Sequence, residues 1–343
     1  MAQNFFAGVA VAFEKLTEVD RQRLRAAGLN GLRTGTPGFS AEYFLTNRGQ
    51  PADFFHHRET MAKLREAGFR FIGITPGPKD MPAIAGPAGS ARYLDNYRKI
   101  CMFLGQTYGD LIDYWQVANE LDIWIFRDSL TLEQSAEFLK AGIRGLKDAN
   151  HRSKVGINLT LFPSRPGEVD GNTDRHEGVF LAKSIYEDPD LPVDYAGFDS
   201  YPGTWREGGP ESWNDYLDAF HALTRKPILI QEFGYSSAGD LMTCEEVTKN
   251  NYPCQVKKWK HSWRGAHNPG TQADFISESY RIFAQKPFVI GAVYYRWNDQ
   301  PTCWQCGQPD CPAETAWGLV DCQNRPKPSY YSIKSSLELY YRQ

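Results

Sequence analysis

The sequence predicts an α/β fold: one (β/α)8 TIM barrel with elaborated βα loops, forming a single domain over residues 1–343. Short β-branched or aromatic runs alternate with amphipathic helical stretches from end to end, which is the pattern of repeated βα units. No glycine-rich phosphate loop follows the first run, as a doubly wound open sheet would require. The eight predicted strands lie at about 5–12, 29–34, 69–75, 112–119, 154–160, 194–200, 227–232 and 290–297.

Helices are predicted between these strands from capping signals and helical periodicity. The helix at 131–149 should begin with a capping box, since Thr131 is followed three residues later by Gln134. The stretch 56–67 has the same amphipathic pattern. The longest irregular regions follow strands five, seven and eight, on the face where barrel enzymes build their sites. They are residues 162–190, 236–270 and 298–325.

Composition and charge exclude several classes of partner. The 38 basic and 41 acidic residues are mixed along the chain, without a basic run that would bind nucleic acid. No apolar run approaches the roughly 20 residues that a membrane helix needs. We expect a monomer that is secreted or extracellular, although the first residues lack the basic region and cleavage site of a signal peptide. A cytoplasmic location stays open.

The seven cysteines predict disulfides, a structural zinc site or free thiols. Cys101 stands alone and the other six are clustered, which favours three disulfides and one buried thiol. Cys303 and Cys306 have the spacing of zinc ligands, so a zinc ion held by the last four cysteines is the alternative. The six clustered cysteines are Cys244, Cys254, Cys303, Cys306, Cys311 and Cys322.

Two glutamates follow buried strands and indicate acid/base chemistry. Strand four ends in Asn119 and Glu120, and strand seven ends in Glu232. Both glutamates should face the same mouth of the barrel. Retaining glycosidases need two carboxyl groups about 5–5.5 Å apart, one to protonate the leaving oxygen and one to attack the anomeric carbon. This chemistry requires no metal and no organic cofactor.

The pair Asn119-Glu120 after strand four and Glu232 after strand seven resembles the signature of clan A glycoside hydrolases, over about residues 5–340. The resemblance implies that Glu120 is the acid/base, that Asn119 binds the sugar 2-hydroxyl and that Glu232 is the nucleophile. It also implies a β-linked glycan as substrate.

Three more residues match what the resemblance implies. Arg33 is similar to the arginine that keeps the nucleophile ionised, and Tyr201 to the tyrosine that hydrogen-bonds it. Trp297 looks like the platform beneath the sugar being cleaved. The alternatives are a surface cation for Arg33 and simple packing for Tyr201 and Trp297.

The expected substrate is an oligosaccharide or polysaccharide, cleaved by endo-action. Cellulase, mannanase, galactanase and β-1,3-glucanase activities all stay open, as do a transglycosylase using the same glutamates and a non-catalytic carbohydrate-binding barrel. A metal-dependent barrel hydrolase is disfavoured because the histidines do not fall at strand ends. The tryptophans that either stack on sugars or pack in the core are Trp124, Trp205, Trp213 and Trp304. The aspartates that either bind hydroxyls or serve as loop caps and ion pairs are Asp122, Asp199 and Asp299.

Overall fold

Eight parallel strands close into a barrel in a computed structural model that describes residues 5–149, 152–160 and 174–341. Each strand is bonded to the next, and β8 is bonded to β1. The predicted fold class is therefore confirmed. The strands are β1 Phe6–Ala10, β2 Gly31–Thr34, β3 Arg70–Ile74, β4 Tyr114–Gln116, β5 Lys154–Leu159, β6 Tyr195–Ser200, β7 Ile228–Phe233 and β8 Val289–Tyr294.

All eight strands coincide with predicted runs, but β4 is much shorter than its run at 112–119. Extended structure ends at Gln116. Ala118 and Glu120 then adopt left-handed backbone conformations, with φ of 55° and 48°. The apolar pattern of the sequence continues through this turn because Val117 and Ala118 are buried although they are no longer in the strand.

The interior of the barrel is filled around Phe6, which is fully buried. Ile72, Leu229 and Val293 belong to the same apolar cluster. A Cβ atom at Gly31 would lie 2.3 Å from the Phe6 ring, so glycine at this position makes room for the aromatic side chain. The barrel interior is thus a packed core, so a reactive site can form only at an end of the barrel.

Helices cover the outside of the barrel. The helix predicted at 131–149 is observed as α6 and begins with the predicted capping box: the Gln134 amide donates to Thr131 Oγ1 (3.2 Å), and the Thr131 amide donates to Gln134 Oε1 (2.9 Å). The helix predicted at 56–67 begins four residues earlier, as α3. The helices are α1 Glu18–Ala27, α2 Ala41–Leu45, α3 Ala52–Glu66, α4 Ala91–Tyr108, α5 Trp124–Arg127, α6 Leu132–Asp148, α7 Asp174–Tyr186, α8 Ser212–Thr224, α9 Cys244–Thr248, α10 Pro253–Val256, α11 Pro269–Phe283, α12 Pro312–Thr315 and α13 Pro328–Tyr340, with 3-10 turns at Phe13–Lys15, Pro78–Asp80 and Ala83–Ala85.

The three long regions predicted as irregular follow β5, β7 and β8, but each of them contains helical structure. The region 162–190 contains α7, and its residues 162–173 lie outside the described part of the chain. The loops after β7 and β8 contain only the short helices α9, α10 and α12. Among the described helices, none has both the length and the apolar character needed to span a bilayer.

The structure departs from the prediction of three disulfides. All seven cysteines lie within the described residues, and all are free thiols. Cys101 is fully buried in α4, as expected. Cys244 and Cys322, two of the six cysteines expected in disulfides, are exposed.

Candidate active site

Arg33 lies at the centre of a hydrogen-bond network that joins β2, β4 and β7. Its Nε donates to Gln116 Oε1 (2.8 Å), and its Nη2 donates to Asn119 Oδ1 (2.8 Å). Its Nη1 forms an ion pair with Glu232 Oε1. Burial opposes the positive charge, but Glu232 and Asp199 outweigh that effect and raise the pKa of Arg33. Arg33 is therefore a buried, permanently charged part of the site, and the alternative of a surface cation does not hold.

Both carboxylate oxygens of Glu232 have a donor. Arg33 pairs with Oε1, and the Tyr201 hydroxyl donates to Oε2. Burial, followed by the charge of Glu232, raises the pKa of Tyr201 well above its usual value, so this phenol stays protonated and keeps donating. The Glu232 side chain is 12% exposed. These two donors fix the orientation of the carboxylate.

The turn after β4 holds Glu120 in an unusual backbone conformation. Left-handed non-glycine residues cost on the order of 1–3 kcal/mol each and persist only where neighbours hold them. Here the Ala118 amide donates to Thr75 Oγ1 (2.9 Å), and the Glu120 amide donates to Asn158 Oδ1 (3.0 Å). The turn directs the Glu120 carboxyl group into the barrel mouth rather than along the strand.

Glu120 is placed where its protonated form is favoured. Its side chain is buried, and one of its carboxyl oxygens lies within 4.8 Å of oxygens from both Glu232 and Asp199. Burial, then the negative charges of Glu232 and Asp199, raises the pKa of Glu120 well above its usual value. The site thus favours a proton on Glu120, whereas Arg33 and Tyr201 contact the two carboxylate oxygens of Glu232.

Asp199 lies beside the two glutamates. The sequence offered it either as a ligand for sugar hydroxyls or as a loop cap or ion-pair partner, and in the structure it is fully buried and paired in register with Glu232. Asn158 Nδ2 donates to Asp199 Oδ2 (2.6 Å), and one carboxyl oxygen of Glu120 lies within 4.8 Å of one of Asp199. Burial and Glu232 raise the pKa of Asp199 well above its usual value. Its position near the end of β6, two residues before Tyr201, was the available signal, because residues at strand ends face the mouth of a barrel.

The other two candidate aspartates serve the loops. Asp122 is buried and accepts hydrogen bonds from the amide (2.9 Å) and hydroxyl (3.2 Å) of Thr160. Asp299 forms an ion pair with Lys327 (3.0 Å) and accepts from the Gly318 amide (2.6 Å). Asp122 thus caps a loop and Asp299 forms an ion pair, as the second of the two predictions for these aspartates stated.

Trp297 does not form the predicted platform, since only 2% of it is exposed. After β8 ends at Tyr294, the Trp297 amide donates to Ala10 O (3.2 Å), and its indole nitrogen donates to Asp20 Oδ1 (3.0 Å) in α1. The ring also packs edge-on against Tyr330 of α13. These contacts turn the ring away from the barrel mouth and into the core.

Aromatic side chains do form one side of the site, and we call this set the aromatic wall. Tyr201 lies edge-on to Trp317 (5.1 Å between ring centroids) and to Tyr295 (6.1 Å). Trp259 contacts both Trp317 (5.8 Å) and Trp205 (5.0 Å). The aromatic wall is therefore continuous from Tyr201 to the loops after β6, β7 and β8.

The remaining predicted tryptophans differ in exposure. Trp205 is half-buried, and Tyr252 stacks on its ring at 5.6 Å. Trp213 is fully buried in α8 and packs against Phe283, so it has no surface for a sugar. Trp124 and Trp304 are 68% and 60% exposed, and stacking on a sugar stays a prediction for both.

A cavity of about 470 Å³ opens beside Asn119, on the side of the site away from the aromatic wall. The loop after β2 contributes Phe39, the loop after β3 contributes Pro76 and Lys79, and Phe126 of α5 completes the lining. Apolar rings with a few polar groups are typical of a site for a small organic ligand.

The structure thus brings together most of the residues predicted from the sequence, although their roles stay predictions. Trp205 lies at the edge of this group, and Trp297 lies outside it. The residues that meet are Arg33, Asn119, Glu120, Tyr201 and Glu232, joined by Gln116, Asn158 and Asp199, which the sequence analysis did not place in the catalytic site.

At the level of sequence, neither a protein-family model nor a curated protein matches this chain. Solved structures share its fold. Xylanase 10B from Thermotoga maritima superposes with a TM-score of 0.68 at 17% identity, over 98% of this chain and 95% of the xylanase. A family 39 glycoside hydrolase from Bacteroides cellulosilyticus gives a TM-score of 0.62 at 15% identity, over 99% of this chain and 65% of the hydrolase. An endo-β-1,3-glucanase of glycoside hydrolase family 128 from Amycolatopsis mediterranei gives a TM-score of 0.53 at 14% identity, over 96% and 98%. These neighbours are glycoside hydrolases, and at such low identity they establish the fold.

Proposed function

We propose that this protein is a retaining glycoside hydrolase that cleaves β-linked glycans by double displacement. The observation that carries the proposal is the carboxyl pair at the barrel mouth. One oxygen of Glu120 lies within 4.8 Å of one oxygen of Glu232, which suits the roughly 5–5.5 Å of retaining enzymes better than the roughly 6.5–9.5 Å of inverting ones. The two groups also have opposite environments, as an acid and a nucleophile require.

In the first step, Glu232 attacks the anomeric carbon while Glu120 gives its proton to the leaving oxygen. Arg33 and Tyr201 hold Glu232 in one orientation, so that the attacking oxygen needs little reorganisation. The bond from the anomeric carbon to the leaving oxygen breaks, and a glycosyl ester on Glu232 forms. The leaving alcohol departs with the proton from Glu120.

In the second step, Glu120 changes from acid to base. Once Glu232 is esterified its negative charge is lost, and with it one of the causes that raise the pKa of Glu120. The pKa of Glu120 therefore falls, and its carboxylate can take a proton from the water that attacks the ester. The product keeps the β configuration because the anomeric carbon has been inverted twice.

Asn119 is oriented to bind the sugar. Its Oδ1 accepts hydrogen bonds from Arg33 (2.8 Å), Gln116 (3.0 Å) and Asn158 (3.1 Å). Three donors on one oxygen assign the amide orientation, and Nδ2 is then the atom that can donate to a hydroxyl in the cavity that Asn119 lines. This supports its proposed contact with the sugar 2-hydroxyl.

The proposed substrate is a polysaccharide of the β-glucan, β-mannan or β-galactan class, cleaved by endo-action. The cavity beside Asn119 and the exposed Trp124 at the start of α5 support binding of several sugar units. Among the neighbours, a Thermotoga petrophila xylanase was crystallised with xylobiose and the Amycolatopsis glucanase with laminaripentaose. We further propose a secreted monomer.

The experiment that tests this function is a polysaccharide panel that includes xylan and β-1,3-glucan beside the three proposed classes. We expect new reducing ends and long oligosaccharide products from one class, and a β-configured first product when the reaction is followed by proton NMR. A first product with the α configuration would contradict retention. Binding without hydrolysis would favour a non-catalytic barrel, and longer products than substrate would favour a transglycosylase.

Asp199→Asn should shift the alkaline limb of the pH profile of kcat/KM to lower pH. The charge of Asp199 disfavours ionisation of Glu120, so its removal lowers the pKa of Glu120 and the acid form is lost at lower pH. We expect a shift on the order of one pH unit. The measurement is kcat/KM from pH 4 to 9 on the substrate found in the panel.

The matched control is Asp190→Asn, which removes an exposed carboxylate from the segment before β6, at the opposite end of the strand. Its pH profile should overlay that of the wild type. An unchanged alkaline limb in Asp199→Asn, or a shift to higher pH, would show that Asp199 does not control the proton on Glu120.

A further inference from the structure

Four cysteines from two separate loops gather beside the aromatic wall. The Sγ atom of Cys254 lies 3.9 Å from that of Cys303 and 3.7 Å from that of Cys311. All four Sγ atoms lie within 4.8 Å of one another. We call this group, formed by Cys254, Cys303, Cys306 and Cys311, the cysteine cluster.

The spacing of the sulfur atoms suits a tetrahedral metal site. Four sulfurs at about 2.3 Å from a central zinc ion are about 3.8 Å from each other. The observed 3.7 and 3.9 Å lie on either side of this value. Cys254 is nearly equidistant from Cys303 and Cys311, so the arrangement does not single out a pair that would form a disulfide.

The backbone holds Cys303 and Cys306 in one tight turn. The Gly307 amide donates to Cys303 O (2.7 Å), and Gly307, directly after Cys306, has a φ of 73°, which glycine adopts without strain. The Cys303 amide donates to Gln308 O (2.9 Å) across the same turn. The turn therefore keeps two of the four sulfur atoms close together.

We propose that the cysteine cluster binds one Zn²⁺ ion through four thiolates. Four soft thiolates in a tetrahedral arrangement select zinc or iron–sulfur chemistry, and the cluster provides ligands for one metal ion. The site corrects the zinc alternative from the sequence analysis in one respect: Cys254, from the loop after β7, takes the place expected for Cys322, which is exposed.

The ion has a structural role, because four protein ligands leave no open position for water or substrate. It links the loop after β7 to the loop after β8. Cys303 and Cys311 pack in one cluster with Trp259 and Trp317, and Trp317 contacts Tyr201. The zinc ion therefore holds the aromatic wall in place behind the residue that hydrogen-bonds Glu232.

The first test uses the unmodified protein, expressed with zinc in the medium and purified without chelators. Elemental analysis should find about one zinc per chain, and X-ray absorption at the zinc edge should fit four sulfur ligands at about 2.3 Å. Protein without metal would overturn the proposal, whether its denatured mass shows disulfides or free thiols. One iron per chain would also overturn the assignment of zinc.

The second test uses variants with a matched control. Cys254→Ser and Cys311→Ser should each lose most of the zinc and lower the Tm, because binding of a structural zinc contributes directly to folding stability. Cys322→Ser, which changes an exposed cysteine of the same loop, should keep about one zinc per chain and the wild-type Tm. Equal zinc content in all three variants would overturn the proposal. Metal content is read without any substrate, so this result is independent of the proposed glycosidase activity.

Discussion

Glu232→Ala is expected to lower kcat by about 10⁴-fold or more, because the variant lacks the nucleophile that forms the glycosyl ester. In the wild type, Glu232 is the carboxylate that Arg33 and Tyr201 both contact, so no other described group holds an equivalent position. The measurement is kcat on the panel substrate and on an activated aryl glycoside of the same sugar.

Azide should restore turnover to Glu232→Ala, since the truncated side chain leaves space for a small anion beside the anomeric carbon. One displacement by azide gives a glycosyl azide of α configuration, which proton NMR identifies. The control is Glu245→Ala, which removes an exposed carboxylate from the loop after the same strand and should keep wild-type kcat. Wild-type activity in Glu232→Ala would remove this residue from the mechanism.

The barrel could be predicted because its signals are local. Each strand is a short apolar run, and α6 begins at the capping box formed by Thr131 and Gln134. The glutamate pair was also predictable, since a carboxylate at the end of a buried strand is unusual. In β4 the prediction failed in length alone, because the apolar pattern does not record that Ala118 and Glu120 turn into the left-handed region.

Features that depend on distant residues could not be predicted from local patterns. Trp297 follows a strand as a platform residue would, yet a hydrogen bond to Asp20, near the other end of the chain, draws its ring into the core. The surroundings of Asp199 depend on Asn158, from neighbouring β5, and on Glu120, from the turn after β4. These pairings arise only when the barrel closes.

The four members of the cysteine cluster could not be predicted from local patterns either. Cys303 and Cys306 are recognisable from their spacing, but the fourth member could not be chosen from the sequence. Cys254 is 49 residues before Cys303 and reaches it because the loops after β7 and β8 leave adjacent strands. Cys322 is much closer in sequence and lies outside the cluster.

Glu120→Gly should slow only those substrates whose leaving group needs a proton. Glycine accepts the φ of 48° at this position without strain, so the substitution removes the acid without distorting the turn. On polysaccharide, whose leaving alcohol needs a proton, kcat/KM should fall by about 10²–10⁴-fold. On a dinitrophenyl glycoside, whose leaving group departs without protonation, kcat/KM should stay close to that of the wild type.

Azide then distinguishes the two glutamates by stereochemistry. With Glu120→Gly, Glu232 still forms the glycosyl ester, and azide displaces it in a second inversion, which gives a β-configured glycosyl azide. With Glu232→Ala the only displacement is by azide, which gives the α anomer. Opposite anomers from the two variants would assign acid/base and nucleophile independently of substrate identity. An equal loss of kcat/KM on both substrates in Glu120→Gly would instead mean that this carboxyl group positions the sugar and transfers no proton.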